Sequence, residues 1–192
     1  MWSLRHSAQP GVMHRRKVTA WRRAAGFSLV EIGITLALVA LILGLGLPTL
    51  QTTLANMRVR QVAESLRDGL QTARNEAVKR NATVAFNLDS ATGGGWSVTL
   101  ASDGSLLRSK SASEGSNIFV AATPAGVAEV DFNNLGLMTL PVVTSVTLAV
   151  SHPNAGACGP AGSIRCLSVV VLAGGQVRFC DPQRTSPDPQ AC

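Results

Sequence analysis

Ala25-Gly26-Phe27-Ser28-Leu29-Val30-Glu31 leads without a break into Ile32-Gly33-Ile34-Thr35-Leu36-Ala37-Leu38-Val39-Ala40-Leu41-Ile42-Leu43-Gly44-Leu45-Gly46-Leu47. One carboxylate stands at the head of an otherwise uncharged run of about 20 residues, the length needed to cross a bilayer as a helix. An acid in hydrocarbon costs at least about 2.5 kcal/mol, so it is titrated, paired or held at the interface. Glu31 therefore needs a partner or a purpose.

Upstream of this run lie Arg5, Arg15, Arg16, Lys17, Arg22 and Arg23, with no Asp or Glu before Glu31. That asymmetry keeps the N-terminus cytoplasmic and sends the following chain across the membrane. The sequence carries 17 basic and 11 acidic residues. Six of the basic ones precede Phe27, which leaves 11 of each sign from Phe27 onward. The high pI of about 9.9 thus describes the leader and is no nucleic-acid footprint for the rest.

A secretory signal places its small-residue cleavage site after the apolar core. Here Gly26 precedes the core, and no Ala-x-Ala site follows it. A cut between Gly26 and Phe27 removes the basic leader and leaves the apolar helix on the mature chain. The competing reading is a plain single-pass anchor with Glu31 at the cytoplasmic interface.

In Gly26, Phe27, Ser28, Leu29, Val30 and Glu31 the chain resembles the type IV prepilin and pseudopilin superfamily, whose signature is Gly-Phe-Ser/Thr-Leu-x-Glu before an apolar helix. The resemblance implies that a membrane prepilin peptidase cuts after Gly26 and methylates the new amine of Phe27. It also implies that Glu31 aligns the subunit on a neighbour's free N-terminus during filament assembly, which supplies the partner a buried acid requires. Other pilins or pseudopilins, an inner-membrane assembly platform and membrane lipid are the implied partners. The leader starts at Met1 or at Met13.

Pro48, with Gly33, Gly44 and Gly46, weakens the apolar helix, so a kink is expected near Pro48; the resemblance implies instead a stretch locally unwound in the assembled filament. Beyond it Leu54, Val59, Val62, Leu66, Leu70, Ala73 and Ala77 recur at spacings of mostly three and four, with charged residues between them. This period predicts an amphipathic helix laying its apolar stripe on a domain. Arg60 with Glu64 and Glu76 with Arg80 form i,i+4 pairs worth a few tenths of a kcal/mol each.

After Asn81 the period changes to that of strands, expected over 83–88, 96–100, 117–120, 127–132, 142–150, 167–172 and 176–180. Gly93-Gly94-Gly95 lacks the Lys-Ser/Thr of a phosphate loop and precedes a strand, so it reads as a turn. About 145 residues follow the apolar run, enough for one modest domain.

Together these features resemble the GspH- and FimT-type minor-pilin group, which implies an α+β fold, a long N-terminal helix packed against antiparallel β-sheets. The expected organisation is a cleaved leader over 1–26, a transmembrane or filament-core helix over 27–50, an amphipathic continuation over 51–80, and a mainly β domain over 81–192. The expected location is the inner membrane, single-pass, with the C-terminal domain periplasmic.

Cys158, Cys166, Cys180 and Cys192 all fall near the C-terminus. In an exported domain they favour disulfides, and their spacing lacks the close pairs of a zinc site. A hairpin turn centred near Ala173 would set Cys166 opposite Cys180 and leave Cys158 to Cys192. Pairing 158 with 166 and 180 with 192 remains the alternative, and the sequence does not choose.

Gly175-Gln176-Val177-Arg178-Phe179-Cys180-Asp181-Pro182 resembles the FimT hairpin, in which a Gly-Arg-x-Arg element contributes to DNA binding. Gln176 stands where the first Arg would be. Arg178 remains, and Arg165 and Arg184 supplement it if the fold gathers them, since phosphate binding draws on several cations. A local ion pair for Arg178 is the plainer expectation. Two functions follow: a filament subunit at or near a pilus or pseudopilus tip, and a DNA-binding minor pilin for uptake. An enzyme is disfavoured, because His6, His14 and His152 do not cluster, His152 beside Pro153 reads as a loop residue, and no metal pair or nucleophile elbow is present. No catalytic residue, cofactor or metal is expected.

Overall fold

A computed structural model describes residues 26–192. The basic leader, the choice between Met1 and Met13, and His6 and His14 lie outside the described residues. The chain divides into two compact units, Met1–Leu41 and Ile42–Cys192.

In the first unit, residues 26–28 are not helical and α1 (Leu29–Arg80) begins immediately after them. Ser28 accepts a hydrogen bond from the Val30 amide at 3.3 Å through its hydroxyl, and one from the Ile32 amide at 3.1 Å through its carbonyl. A serine in this position occupies donors that a helix start leaves unpaired. Glu31 falls in the first turn, where a negative charge suits the helix dipole. Every described residue of this unit is exposed, including Phe27 at 80%.

In the second unit α1 continues, and Pro48 lies within its span. Proline's own φ is compatible with a helix; what it removes is one donor and some steric room. Val59, Val62, Leu66, Leu70, Ala73 and Ala77 are buried, as their spacing predicts. Leu54 is not: it is 54% exposed, and Ala55 takes the buried position beside it. Both expected ion pairs form, Arg60 to Glu64 at 2.7 Å and Arg80 to Glu76 at 2.6 Å.

Among the described residues nine strands build two antiparallel sheets. In the first, β3 (Leu106–Lys110), β2 (Gly95–Leu100), β1 (Val84–Ser90), β5 (Glu129–Phe132) and β6 (Met138–Leu140) lie side by side in that order. In the second the order is β4 (Phe119–Thr123), β7 (Ser145–Ser151), β8 (Leu167–Leu172) and β9 (Val177–Cys180). The seven expected strands are present. The two that the alternation did not indicate, β3 and β6, are an edge strand with no alternating pattern and a three-residue edge strand.

One apolar core joins α1 to both sheets. Phe86, Val98, Val130 and Phe132 come from the first sheet, and Val120, Leu148, Val150, Val169 and Val171 from the second. The Trp96 indole N–H donates to Ser65 Oγ at 2.9 Å, giving a buried polar tip its partner and fixing the first sheet on the helix. Gly69 permits that approach: a Cβ there would lie 2.8 Å from Phe86 Cε2 and 2.9 Å from the Trp96 ring. Gly93 and Gly94 have φ of +83° and +61° and form the expected turn, with Gly94 against Val62.

Candidate functional site

The residues singled out by the sequence fall into two groups, one in each unit. At the N-terminal end Gly26 has nothing within 4 Å of the position a Cβ would take. The Gly26–Phe27 peptide therefore lies outside the helix and among exposed residues. Glu31 follows within the first turn, exposed, on a helix whose described residues from 29 through 44 are all exposed. Such an unbroken apolar surface cannot remain in water; lipid or other helices must cover it.

The C-terminal group is organised by Asp181, a carboxylate whose side chain is only 4% exposed. Its Oδ2 accepts from Arg165 Nε and Nη2, each at 2.8 Å, and lies 3.6 Å from Arg184 Nε. Its Oδ1 accepts from the Gln183 amide at 2.9 Å. Arg184 also reaches Asp188 at 2.5 Å, and this hydrogen bond holds the Arg184 guanidinium above its usual range. The Gln190 amide and then Arg184 lower the Asp188 carboxyl. Arg165, Asp181, Arg184 and Gln190 border a cleft of about 690 Å³ with Met57, Leu167 and Phe179 on its apolar wall.

The fold gathers Arg165 and Arg184 but leaves Arg178 apart. Along β9 side chains alternate between faces: Val177 and Phe179 pack on the shared core, whereas Arg178 is exposed on the other face, opposite Val170 of β8. Arg178 has no ion pair among the described residues, contrary to the plainer expectation for it. The three arginines do not form one cationic patch.

The disulfides are Cys158–Cys166 and Cys180–Cys192. The expected opposition of Cys166 and Cys180 fails because the hairpin turns about Gly174, one residue later than Ala173. Leu172 then pairs across to Gln176 and Ser168 faces Cys180. Cys166 lies beyond the strand and reaches back to Cys158. The second bridge, with the Asp181–Gln190 backbone bond of 2.7 Å, fastens the tail onto β9.

His152 departs from the reading of a simple loop residue. It does follow β7, yet it is 6% exposed, and its Nδ1 is buried without a hydrogen-bond partner. It lines a second cleft, of about 500 Å³, with Arg58. Nothing in the spacing of the sequence joins residues so far apart; only the His-Pro dipeptide drew attention to this point. Among the described residues no group of three or more His, Cys, Asp or Glu is placed to hold a metal ion.

Solved structures share this architecture. The type IV minor pilin FimU of Pseudomonas aeruginosa, in its P21 crystal form, superposes with a TM-score of 0.54 at 22% identity, covering 70% of this chain and 94% of that one. Its P65 form gives 0.52 at 22% identity, over 69% and 98%. The minor pseudopilin EpsH of Vibrio cholerae gives 0.47 at 14%, over 66% and 99%. No match is found among the curated proteins. A long N-terminal helix with an apolar, exposed first part and a second part serving as the spine of two antiparallel sheets is the pilin fold. The profile described as type II transport protein GspH matches residues 62–184, and the chain belongs to that family. It is a structural family of pilin and pseudopilin type.

Proposed function

We propose that the chain is a minor pilin or pseudopilin incorporated at or near the tip of a type IV pilus or type II secretion pseudopilus, where it supports filament assembly and secretion. The observation that carries this reading is α1 itself: its first part is apolar and exposed throughout, with one carboxylate two residues into the helix and an exposed Gly-Phe junction just before it. A prepilin peptidase cuts at Gly26–Phe27, the helix stays in the inner membrane with the domain periplasmic, and the assembly platform then moves the subunit from lipid into the filament. In that transfer Glu31 meets the amine of a neighbouring subunit, replacing an interfacial site with a charge pair.

Mass spectrometry of membrane-extracted protein tests the processing step. The expected terminus is N-methylated Phe27, and an intact leader in cells with an active peptidase would refute it. Glu31→Ala is expected to leave processing intact and to remove the chain from the sheared filament fraction. Co-purification with secretin and secretion ATPase, or with pilus components, assigns the machine.

DNA capture is the second reading, and the exposed, unpaired Arg178 is what favours it. Arg165 and Arg184 are committed to Asp181 and face the cleft away from it, so the cationic contacts available to a phosphate backbone are few. Salt-dependent retardation of short duplex DNA, lost in Arg178→Ala, would support uptake; no retardation at low salt would exclude it.

A further inference from the structure

β6 is the shortest strand among the described residues, and it touches both sheets. Its three residues lie at an edge of the first sheet with β5 as their strand partner. The pairing is irregular: Asp131 faces Leu140, Phe132 faces Met138, and the register shifts between them. On the other side the Met138 amide donates to Ala173 O at 3.0 Å, and the Ala173 amide donates to Thr144 O at 2.9 Å. The β8–β9 turn is thereby tied to β6 and to the connection that follows it. An edge strand held by so few bonds opens at a fraction of the cost of unfolding the domain, and Met138 is the part of it packed in the shared core.

Across from β6 stands a carboxyl without a partner. Side chains alternate along a strand, and Val130 and Phe132 face the core, so Glu129 and Asp131 lie on the opposite face of the first sheet. There Asp131 pairs with Ala85 of β1 and Leu140 of β6, and Glu129 with Asn87. Asp131 is nevertheless 6% exposed, and its Oδ1 has no hydrogen-bond partner. Thr139 Oγ1 donates to the Asp131 carbonyl at 3.5 Å and leaves the carboxyl unserved. Glu129 is the charged group that acts on it, and no cation does. The protonated acid tolerates such a place, whereas the carboxylate calls for water or a counter-charge. Water enters most easily where a strand is held on one side: β1 is paired with β2 and β5, β6 with β5 alone.

We propose that β6 is a proton-operated latch: with Asp131 protonated it stays closed on β5 and ties the sheets together, and ionisation of Asp131 releases it. Burial, and then Glu129, raise the Asp131 pKa from 3.8 to about 6, so the closed form is favoured below that range and opening grows as pH rises through it. If the carboxyl regains its ordinary pKa on opening, the open fraction grows about tenfold between pH 5 and pH 7.5. Leu140 and Val142, both exposed, ride on this segment, and the apolar surface they present is fixed in acid and loosened at neutral pH.

Native-state hydrogen exchange of the full-length chain in detergent micelles, read by 15N NMR and divided by the intrinsic rate at each pH, tests the latch. The Asn133 and Met138 amides, bonded to Leu137 O and Ala173 O, are the reporters. Their protection is expected to fall about tenfold from pH 5 to pH 7.5, with a weak dependence on urea. Amides of the other edge of this sheet, β3, open without uncovering Asp131 and are expected to show no such change. In Asp131→Asn the pH response of Asn133 and Met138 is expected to vanish. Exchange of the two reporters only together with the slowest amides of β8 would show that β6 opens by whole-domain unfolding, which overturns the latch. So would an equal pH response in β3, or a response that survives in Asp131→Asn.

Discussion

Asp131 shows how one side chain can set a pH dependence. It lies on β5 between Ala85 of β1 and Leu140 of β6, is 6% exposed, and leaves Oδ1 without a hydrogen-bond partner. Burial, and then the neighbouring Glu129, raise its pKa from 3.8 to about 6. A carboxyl whose pKa rises on folding adds stability that is full below its unfolded value and is lost as pH rises through the folded one. The window is therefore about pH 4 to 6, and the change is about 3 kcal/mol. Asp131→Asn, which keeps the shape of the protonated acid, is expected to be more stable than the parent by about that amount at pH 7.5, with the gap closing toward pH 4. Urea titrations at several pH values measure this, and a pH-independent difference would refute it. Nothing in the sequence singles out Asp131, because its burial comes from strands that meet only in the sheet. Glu31 stands out in the sequence for the opposite reason: its whole context is contiguous.

At the scale of elements, the match between sequence and fold follows how local each signal is. The buried stripe from Val59 to Ala77 is written in its own period, and seven strands are written in theirs. β3 and β6 were missed because an edge strand receives its order from one neighbour and needs no alternation of its own. Leu54 was misplaced because the period does not say where the domain stops covering the helix. A shift of one residue in a hairpin turn sufficed to change every cross-strand partner, which removes the opposition of Cys166 and Cys180 and leaves the alternative pairing. Gly69 marks the contact between elements most clearly. Ala there would add about 1 kcal/mol of helix propensity, yet its methyl would meet the Phe86 and Trp96 rings. Overpacking of this kind costs about 1–3 kcal/mol, so Gly69→Ala is expected to lower the denaturation midpoint. In a chain beginning at Phe27, Trp96 is the only tryptophan, and its fluorescence reports the transition.

For the molecule as a whole, the buried positions on α1 begin, among the described residues, at Ala55, and the core they join draws on both sheets. A chain beginning at Thr49 keeps every one of those positions. It is expected to remain in solution without detergent and to unfold in a single cooperative transition, whereas loss of cooperativity would show that the preceding residues belong to the same folding unit. The cysteines add a consequence of order. Each is bonded to its nearest neighbour along the chain, Cys158 to Cys166 and Cys180 to Cys192. When such a chain is threaded across a membrane from its N-terminal side, only one partner is present as each pair completes. Oxidation in order of arrival would then yield the native bridges without a proofreading isomerase.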